Sequence, residues 1–122
     1  MKKKIAILLP YKEKYTLKDA AAASIWVKDY LSKSHLKDQT LVFGNLDKKK
    51  KPITNNYFNL DISNINFKKN YFYTRKFLKV HNDFKFDIIE IHNRPESLIY
   101  LIKKKLRCKL ISSDVNLIIF FE

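Results

Sequence analysis

The 122-residue chain is long enough for one domain with one hydrophobic core, since 46% of its residues are apolar. Its formal net charge of +13 suggests a polyanionic partner, but only three of its 25 basic residues are arginine, the residue on which readers of bases and phosphates depend for bidentate contacts. The composition therefore argues against a dedicated nucleic-acid-binding protein, and a lone cysteine, Cys108, excludes an internal disulfide and a cysteine-based zinc site.

The chain starts with an apolar run that predicts a buried parallel strand. Residues 4–9, KIAILL, have the length of a strand and are followed by Pro10. The run is too short for the apolar region of a signal peptide. No later stretch approaches the roughly 20 apolar residues that a membrane-spanning helix needs, so we expect a soluble chain that can still touch a membrane. The lone cysteine fits a reducing compartment, so we expect a cytoplasmic location.

An alanine-rich helix and a second strand are predicted next. The helix is AAAASIWVKDYLSK, residues 20–33, and Asp19 is its candidate N-cap. The residues that share one face of this helix are Ala20, Ala23, Val27, Tyr30 and Leu31. The predicted strand is QTLVFGN, residues 39–45, and the single glycine, Gly44, lies at its end, where glycine permits a tight turn. Residues 48–51 are predicted to form a solvated lysine loop.

The second half of the chain continues the alternation of strands and helices. In order, the segments are a short strand at 56–62, a helix at 68–81, a strand at 86–92, a helix at 95–106 and a final strand at 115–121. Alternating strands and helices imply right-handed crossovers and a mainly parallel sheet with helices on both faces. The predicted fold class is therefore α/β, a Rossmann-like three-layer α/β/α domain.

Two loops leave the carboxyl ends of predicted strands, where open parallel sheets bind their ligands. The first loop, residues 10–19, leads to the alanine-rich helix, whose N-terminus favours an anion. It lacks the glycine patterns of dinucleotide and P-loop sites, so we expect no self-contained nucleotide site there. Tight packing on the sheet is the alternative explanation for the alanines.

The second loop is HNRPE, residues 92–96. Pro95 suits the first turn of a helix and restricts Arg94 to the extended backbone of an N-cap residue. The negative charge of Glu96 complements the positive end of the helix dipole. Helix initiation requires neither His92 nor a guanidinium, and both groups bind hydroxyls or phosphate when placed at a strand end. Ligand contact and simple surface polarity both remain open for this pair.

The sequence assigns neither a metal ligand nor a catalytic residue. His35 and His81 have no second ligand at metal spacing. The serines lack a nucleophile elbow, and no two carboxylates can be paired from one sequence as a general acid and base.

Three segments carry a resemblance to a known enzyme family. They are KIAILLPYKEKYTLKDAAAASIWVKDY, LVFGN and FDIIEIHNRPESLIYLIKK, of which IEIHNRPE is the most specific part. Together they resemble the N-terminal half of a family-4 glycosyltransferase of the GT-B fold, of the bacterial surface-polysaccharide type. In that family one Rossmann-like domain holds the acceptor and a second holds the nucleotide-sugar donor across a cleft, usually without a divalent metal.

The resemblance implies a hexosyltransferase half with no cofactor besides the nucleotide sugar as co-substrate. The residues that it implies for substrate binding are Pro10, Tyr11, Tyr15, Ala21, Ala22, His92, Asn93, Arg94 and Glu96. Its implied partners are a glycan or lipid-linked acceptor, a separate donor-binding domain and, peripherally, the anionic inner face of the membrane. Relatives often carry glycine where this chain has alanine before the first helix.

Relatives also continue into a second domain where this chain stops at Glu122, so we expect the main donor site to be missing. Proximity of two reactants accounts for about 7–11 kcal/mol of a barrier, so the chain alone should be nearly inert. One alternative is a non-catalytic remnant. Another is a basic module that binds nucleic acid or anionic lipid through the lysines of residues 2–4, 48–51 and 103–105.

Overall fold

The computed structural model describes residues 2–112 and 117–120 and contains six strands and three α-helices within them. In chain order they are β1 (Ile5–Leu8), α1 (Ala22–Lys33), β2 (Thr40–Gly44), β3 (Tyr57–Asn59), α2 (Lys69–Phe84), β4 (Ile88–Ile91), α3 (Pro95–Lys103), β5 (Lys109–Ser112) and β6 (Leu117–Phe120). A short 3₁₀ helix, Lys37–Gln39, precedes β2. Within these residues, no helix is both long enough and apolar enough to cross a membrane.

The strands form one sheet in the order β3-β2-β1-β4-β5-β6. Strands β1 to β5 are all parallel, and β6 pairs antiparallel with β5. The chain winds outward from β1 to β3 and then returns to the other side of β1, so the winding reverses between β1 and β4. Leu8 is in register with both Phe43 and Ile91, which places the carboxyl ends of β1, β2 and β4 level with one another.

The two faces of the sheet are covered by different helices. Side chains alternate along β1, so that Ala6 and Leu8 face one layer while Ile7 and Leu9 face the other. The side of Ile7 packs against α1, and the side of Leu8 packs against α2 and α3. The predicted three-layer α/β/α fold is therefore confirmed, with the larger core under α2 and α3.

The last two strands differ from the sequence prediction. The sequence analysis missed β5, because KLIS is only four residues long and directly follows a basic segment. The crossover after α3 leads to β5, and the predicted final strand corresponds to β6. Residues 115, 116 and 121 of that prediction lie outside the described residues.

A fully buried tyrosine, Tyr73, fixes α2 to the carboxyl ends of β1 and β2. Its hydroxyl donates a hydrogen bond to the carbonyl oxygen of Leu9 at 2.6 Å and lies 3.4 Å from that of Phe43. Burial raises the pKa of Tyr73 well above its usual value, so the hydroxyl keeps the proton that it donates. The start of α2 is thereby held near the sheet edge where β1 ends.

Gly44 ends β2 because a neighbouring ring occupies the place of its side chain. A Cβ atom at this position would lie 2.6 Å from the hydroxyl oxygen of Tyr57. Tyr57 cannot withdraw freely, since its ring stacks on that of Tyr15 with centroids 5.5 Å apart. Close packing, and not a left-handed backbone, therefore requires glycine here.

Candidate functional site

The candidate site lies where the winding of the sheet reverses, outside the carboxyl ends of β1 and β4. Ligands of open parallel sheets collect at such points. The two strands stay paired to their ends, since the backbone N–H of His92 donates to the carbonyl oxygen of Leu8 at 3.1 Å. Beyond this bond, β1 continues into Pro10 and Tyr11, and β4 continues into the turn of residues 92–96.

That turn is built as the start of a helix. Asn93 has a left-handed backbone with φ of 51°, which asparagine tolerates better than most residues. Arg94 is the N-cap of α3 and Pro95 is in its first turn, as predicted. The carbonyl oxygen of Arg94 accepts the backbone N–H of Ser97 at 3.1 Å and so closes the turn.

The turn directs His92 and Arg94 to opposite layers of the molecule. The His92 ring is buried on the side of α1, with its centroid 5.3 Å from that of Trp26. Its Nε2 lies 3.4 Å from Oε1 of Glu90, without a hydrogen bond to any described residue. Arg94 lies on the side of α2 and α3, with Cζ 5.2 Å from the centroid of Tyr11. The two side chains therefore leave one turn without forming one binding site.

A pocket of about 460 Å³ lies between the starts of α2 and α3 and the residues that follow β1 and β4. Its volume falls within the roughly 300–1,000 Å³ that small-molecule sites occupy. The residues that line it are Tyr11, Lys68, Lys69, Asn70, Tyr71, Thr74, Arg94, Glu96 and Tyr100. Three tyrosine rings thus surround three cationic groups and one carboxylate.

A small hydrogen-bond network holds the two helix starts together at the base of the pocket. The hydroxyls of Thr74 and Ser97 lie 2.8 Å apart, and both side chains are buried. Thr74 donates its proton to the carbonyl oxygen of Asn70 at 2.8 Å, so the Ser97 hydroxyl is the donor that Thr74 or, at 3.2 Å, the Asn70 side-chain oxygen accepts. The first turns of α2 and α3 are therefore fixed relative to each other.

The electrostatics of the pocket favour an anion. Neither α2 nor α3 receives a side-chain cap hydrogen bond from its N-cap residue, Lys68 or Arg94. The free N–H groups at the start of α2 and the dipoles of both helices place positive charge at the pocket. At the start of α3, Pro95 has no N–H and the Glu96 carboxylate offsets part of this charge. Nε of Arg94 is buried and has no hydrogen-bond partner within the described part of the chain. Arg94 lines the pocket, so its guanidinium can offer N–H donors to a bound anion.

The start of α1 differs, because the carboxylate of Glu13 already occupies it. Oε2 of Glu13 accepts the backbone N–H of Ala21 at 3.1 Å and the backbone N–H and hydroxyl of Ser24 at 3.3 and 2.7 Å. The prediction that Asp19 caps this helix is wrong, since Ala21 is the N-cap and Glu13 supplies the acceptor. A second anion at this position would be repelled by the resident negative charge.

Three of the nine predicted binding residues, Tyr11, Arg94 and Glu96, line the pocket. The remaining six are Pro10, Tyr15, Ala21, Ala22, His92 and Asn93. Pro10 is buried, and Tyr15 is fully buried with its hydroxyl 3.1 Å from that of Thr54. Ala21 and Ala22 are exposed at the start of α1, and Asn93 is exposed in the turn.

Sequence reasoning missed the contribution of α2 to the pocket. Lys68, Lys69 and Tyr71 come from the start of this helix, and Tyr100 comes from the second turn of α3. The signal was present in the predicted topology: helices that follow parallel strands begin at one edge of the sheet, so two starts on the same face lie close together.

The chemistry of the pocket is therefore recognition of an anion beside aromatic rings. Among the described residues, no cluster of histidine, cysteine, aspartate and glutamate side chains could hold a metal ion. Comparisons with protein-family models, curated proteins and solved structures found no match to the chain. Any function must therefore be argued from its own residues.

Proposed function

We propose that this chain is the acceptor-binding part of a glycosyltransferase, which moves a sugar from a nucleotide-sugar donor to a cell-envelope glycan or glycolipid. In this proposal the pocket binds a phosphate of the acceptor and the sugar next to it. The observation that supports it most is the meeting of two helix starts with the guanidinium of Arg94 at the point where the winding reverses. The resemblance of IEIHNRPE to family-4 glycosyltransferases points the same way.

Phosphate recognition is assigned to Arg94 and the start of α2. A guanidinium presents N–H donors in a fixed fork that matches two phosphate oxygens. Arg94 is held in place by the Tyr11 ring and by its position as N-cap of α3. Lys68 and Lys69 add positive charge from the other side of the pocket.

Sugar recognition is assigned to the tyrosines and to two polar side chains. The rings of Tyr71 and Tyr100 meet edge to face with centroids 5.5 Å apart and give the pocket an apolar wall. The Asn70 amide and the Glu96 carboxylate lie at the same pocket and can bond sugar hydroxyls. An aromatic wall with a few polar groups favours a phosphorylated sugar over a bare inorganic anion.

The chain's contribution to transfer is binding and orientation of the acceptor. A separate domain would hold the nucleotide-sugar donor and stabilise the charge of its leaving diphosphate, which in this enzyme class needs no resident cofactor. Holding the acceptor in one geometry lowers the barrier by reducing the entropy lost in the reaction.

Isothermal titration calorimetry with geranyl-diphosphate-linked glucose, and with geranyl glucoside as its phosphate-free counterpart, tests the proposal. We expect the diphosphate to bind and the glucoside to bind at least about tenfold more weakly, since hydrogen bonds between charged groups contribute about 1.5–3 kcal/mol. Arg94→Gln should remove this preference. Arg75→Gln, a change at an exposed arginine of α2, should keep it. Equal affinities for the two ligands, or an unchanged Arg94→Gln variant, would refute the proposal.

A further inference from the structure

A cluster of four aromatic rings lies at the surface beside the pocket. Phe67 and Phe72 have centroids 5.7 Å apart, Phe72 and Tyr71 5.1 Å, and Tyr71 and Tyr100 5.5 Å, each pair edge to face. The cluster is only partly covered, since Phe67 is 66% exposed and Tyr71 is 44% exposed. Ile99, next to Tyr100 in α3, is 51% exposed. Apolar side chains are thus presented to solvent by the start of α2 and by α3.

Positive charge surrounds these rings. Between positions 62 and 82 the chain contains five lysines and arginines and no aspartate or glutamate, and α3 runs into the lysines of residues 103–105. Nζ of Lys104 lies 5.3 Å from the centroid of Tyr100, and Lys68 and Lys69 line the adjoining pocket. Glu96 is the single acidic residue of α3. The net charge of this layer is therefore strongly positive.

We propose that this surface, formed by Phe67, Tyr71, Ile99, Tyr100 and the lysines around them, docks the protein on an anionic lipid bilayer. Tyrosine favours the boundary between headgroups and acyl chains, because its apolar ring carries a polar hydroxyl. Phenylalanine and aliphatic side chains beside it enter the apolar side of that boundary. Lysines beside them are attracted to anionic headgroups. The two contributions act together when they lie side by side, as Lys104 does with Tyr100, and as Lys68 and Lys69 do with Tyr71 at the pocket.

The details favour a membrane over a nucleic acid. Single-stranded nucleic acids bind to open aromatic faces on which bases stack, often with arginine. Here the rings pack edge to face against one another, so each ring is partly occupied by a neighbour. The charges around them are mostly lysines, which are hydrated point charges suited to a fluid headgroup layer.

The location of the surface also connects it to the pocket. Tyr71 and Tyr100 belong to both, so a docked protein would hold the pocket at the lipid headgroups. If the proposed function is correct, a lipid-linked acceptor could then reach the pocket without leaving the bilayer. The docking itself does not require that function.

Exposed apolar residues on other parts of the molecule provide a matched control. Ile25 in α1 is 49% exposed, close to the 51% of Ile99, and Leu17 in the loop before α1 is 74% exposed, close to the 66% of Phe67. The surroundings of Ile25 carry mixed charge, since Lys28 and Asp29 follow it in α1. The pair at positions 17 and 25 therefore has the apolar exposure of the proposed surface beside charges of both signs.

Co-sedimentation with lipid vesicles that contain no acceptor tests the docking surface. One set of vesicles is phosphatidylcholine alone, and the other is equal parts of phosphatidylcholine and phosphatidylglycerol. We expect binding to the anionic vesicles and little to the neutral ones. The double variant Phe67→Ser/Ile99→Ser should lose at least about fivefold in affinity, because it removes the apolar part of the contact. The matched variant Leu17→Ser/Ile25→Ser should bind like the unmodified protein.

A second pair of variants tests the charges without touching an apolar residue. Lys103→Gln/Lys104→Gln should weaken vesicle binding more than Lys49→Gln/Lys51→Gln, which removes two exposed lysines from the loop after β2. The proposal would be overturned if the protein did not bind anionic vesicles. It would also be overturned if each variant of the proposed surface lost no more affinity for vesicles than its matched control variant. Binding of a single-stranded oligonucleotide is the competing outcome. If Phe67→Ser/Ile99→Ser lowers the affinity for the oligonucleotide fivefold and leaves the affinity for vesicles unchanged, the proposal is overturned in favour of nucleic acid. The calorimetric titration with the soluble diphosphate and the glucoside contains no vesicles, so failure of the proposed function would be seen separately.

Discussion

The guanidinium carbon of Arg94 lies 5.2 Å from the centre of the Tyr11 ring, so the residue that caps α3 packs on the loop that follows β1. The ring of Tyr11 is in turn 6.1 Å from that of Tyr73, which is hydrogen bonded to the end of β1. Arg94, Tyr11 and Tyr73 therefore connect β4, β1 and α2. This chain of contacts positions the guanidinium at the pocket.

Tyr11→Leu should lower the affinity for inorganic pyrophosphate about two- to fivefold, because an exposed cation–π contact contributes about 0.5–1 kcal/mol to holding the guanidinium in place. Calorimetric titration measures this loss. In an Arg94→Gln background the same change should have almost no effect, since there is no guanidinium left to position. Additive losses in the double variant would show that Tyr11 acts independently of Arg94.

Tyr73→Phe should lower the free energy of unfolding by about 1–3 kcal/mol, because it leaves a buried carbonyl oxygen without its hydroxyl donor. Urea denaturation followed by circular dichroism measures the change. Tyr71→Phe removes a hydroxyl from an exposed residue of the same helix and should change stability by less than about 0.5 kcal/mol. Equal effects of the two variants would contradict the role given to Tyr73.

Gly44→Ala should destabilise the fold by about 1–3 kcal/mol, because the new methyl group overlaps the Tyr57 hydroxyl. Tyr57→Phe should be tolerated, since that hydroxyl is buried without a hydrogen-bond partner within the described residues. Combining the two changes should recover part of the loss. A thermodynamic cycle over these variants would show no coupling if the clash is not the cause.

The stability of the protein should fall as the pH drops through 6.5, the ordinary pKa of histidine, and this fall should depend on His81. Burial, and to a lesser extent Lys85, lowers the pKa of His81 in the folded state. The unfolded chain therefore takes up a proton first, so the stabilisation is complete above 6.5 and is lost as the pH falls through the folded pKa. Protonation also removes the acceptor at Nδ1, which binds the backbone N–H of Phe86 at 3.2 Å.

Urea denaturation across this pH range, with matched histidine variants, tests the assignment. His81→Gln should flatten the dependence of the unfolding free energy on pH. His35→Gln, at an exposed position, should leave the slope unchanged. If His81→Gln keeps the slope of the unmodified protein, another group is responsible.

The fold was predictable from the sequence where the apolar runs were long and the helices had clear starts. The run at Ile5–Leu8 and the Pro95 helix start both gave elements within a few residues of the observed ones. Lys109–Ser112 was missed because four residues give too little periodicity to separate a strand from a basic linker. Gly44 was correctly placed at a strand end. The reason that glycine is required there is contact with the Tyr57 ring, a tertiary contact that the sequence does not show.

The candidate site was predictable only in part. The sequence pointed to Arg94 and to the loop at Tyr11, because both follow strands. It could not show that Asn93 reverses the chain and separates His92 from Arg94, since that depends on one left-handed residue. Nor could it show that the Glu13 side chain caps α1 by bonding residues 8 and 11 positions further along the chain, because side-chain caps from a loop have no fixed spacing.

The most direct test of the anion site is a nitrogen-15 NMR titration of the protein with inorganic pyrophosphate. The backbone amides of residues 69–71 and 96–97, at the starts of α2 and α3, should shift with a single binding curve, and Arg94→Gln should abolish these shifts. The amides of residues 21–24 should stay unchanged, because Glu13 already occupies the start of α1. Shifts centred on residues 21–24, shifts spread evenly over the lysine loop at 48–51, or no shifts at all would contradict the account.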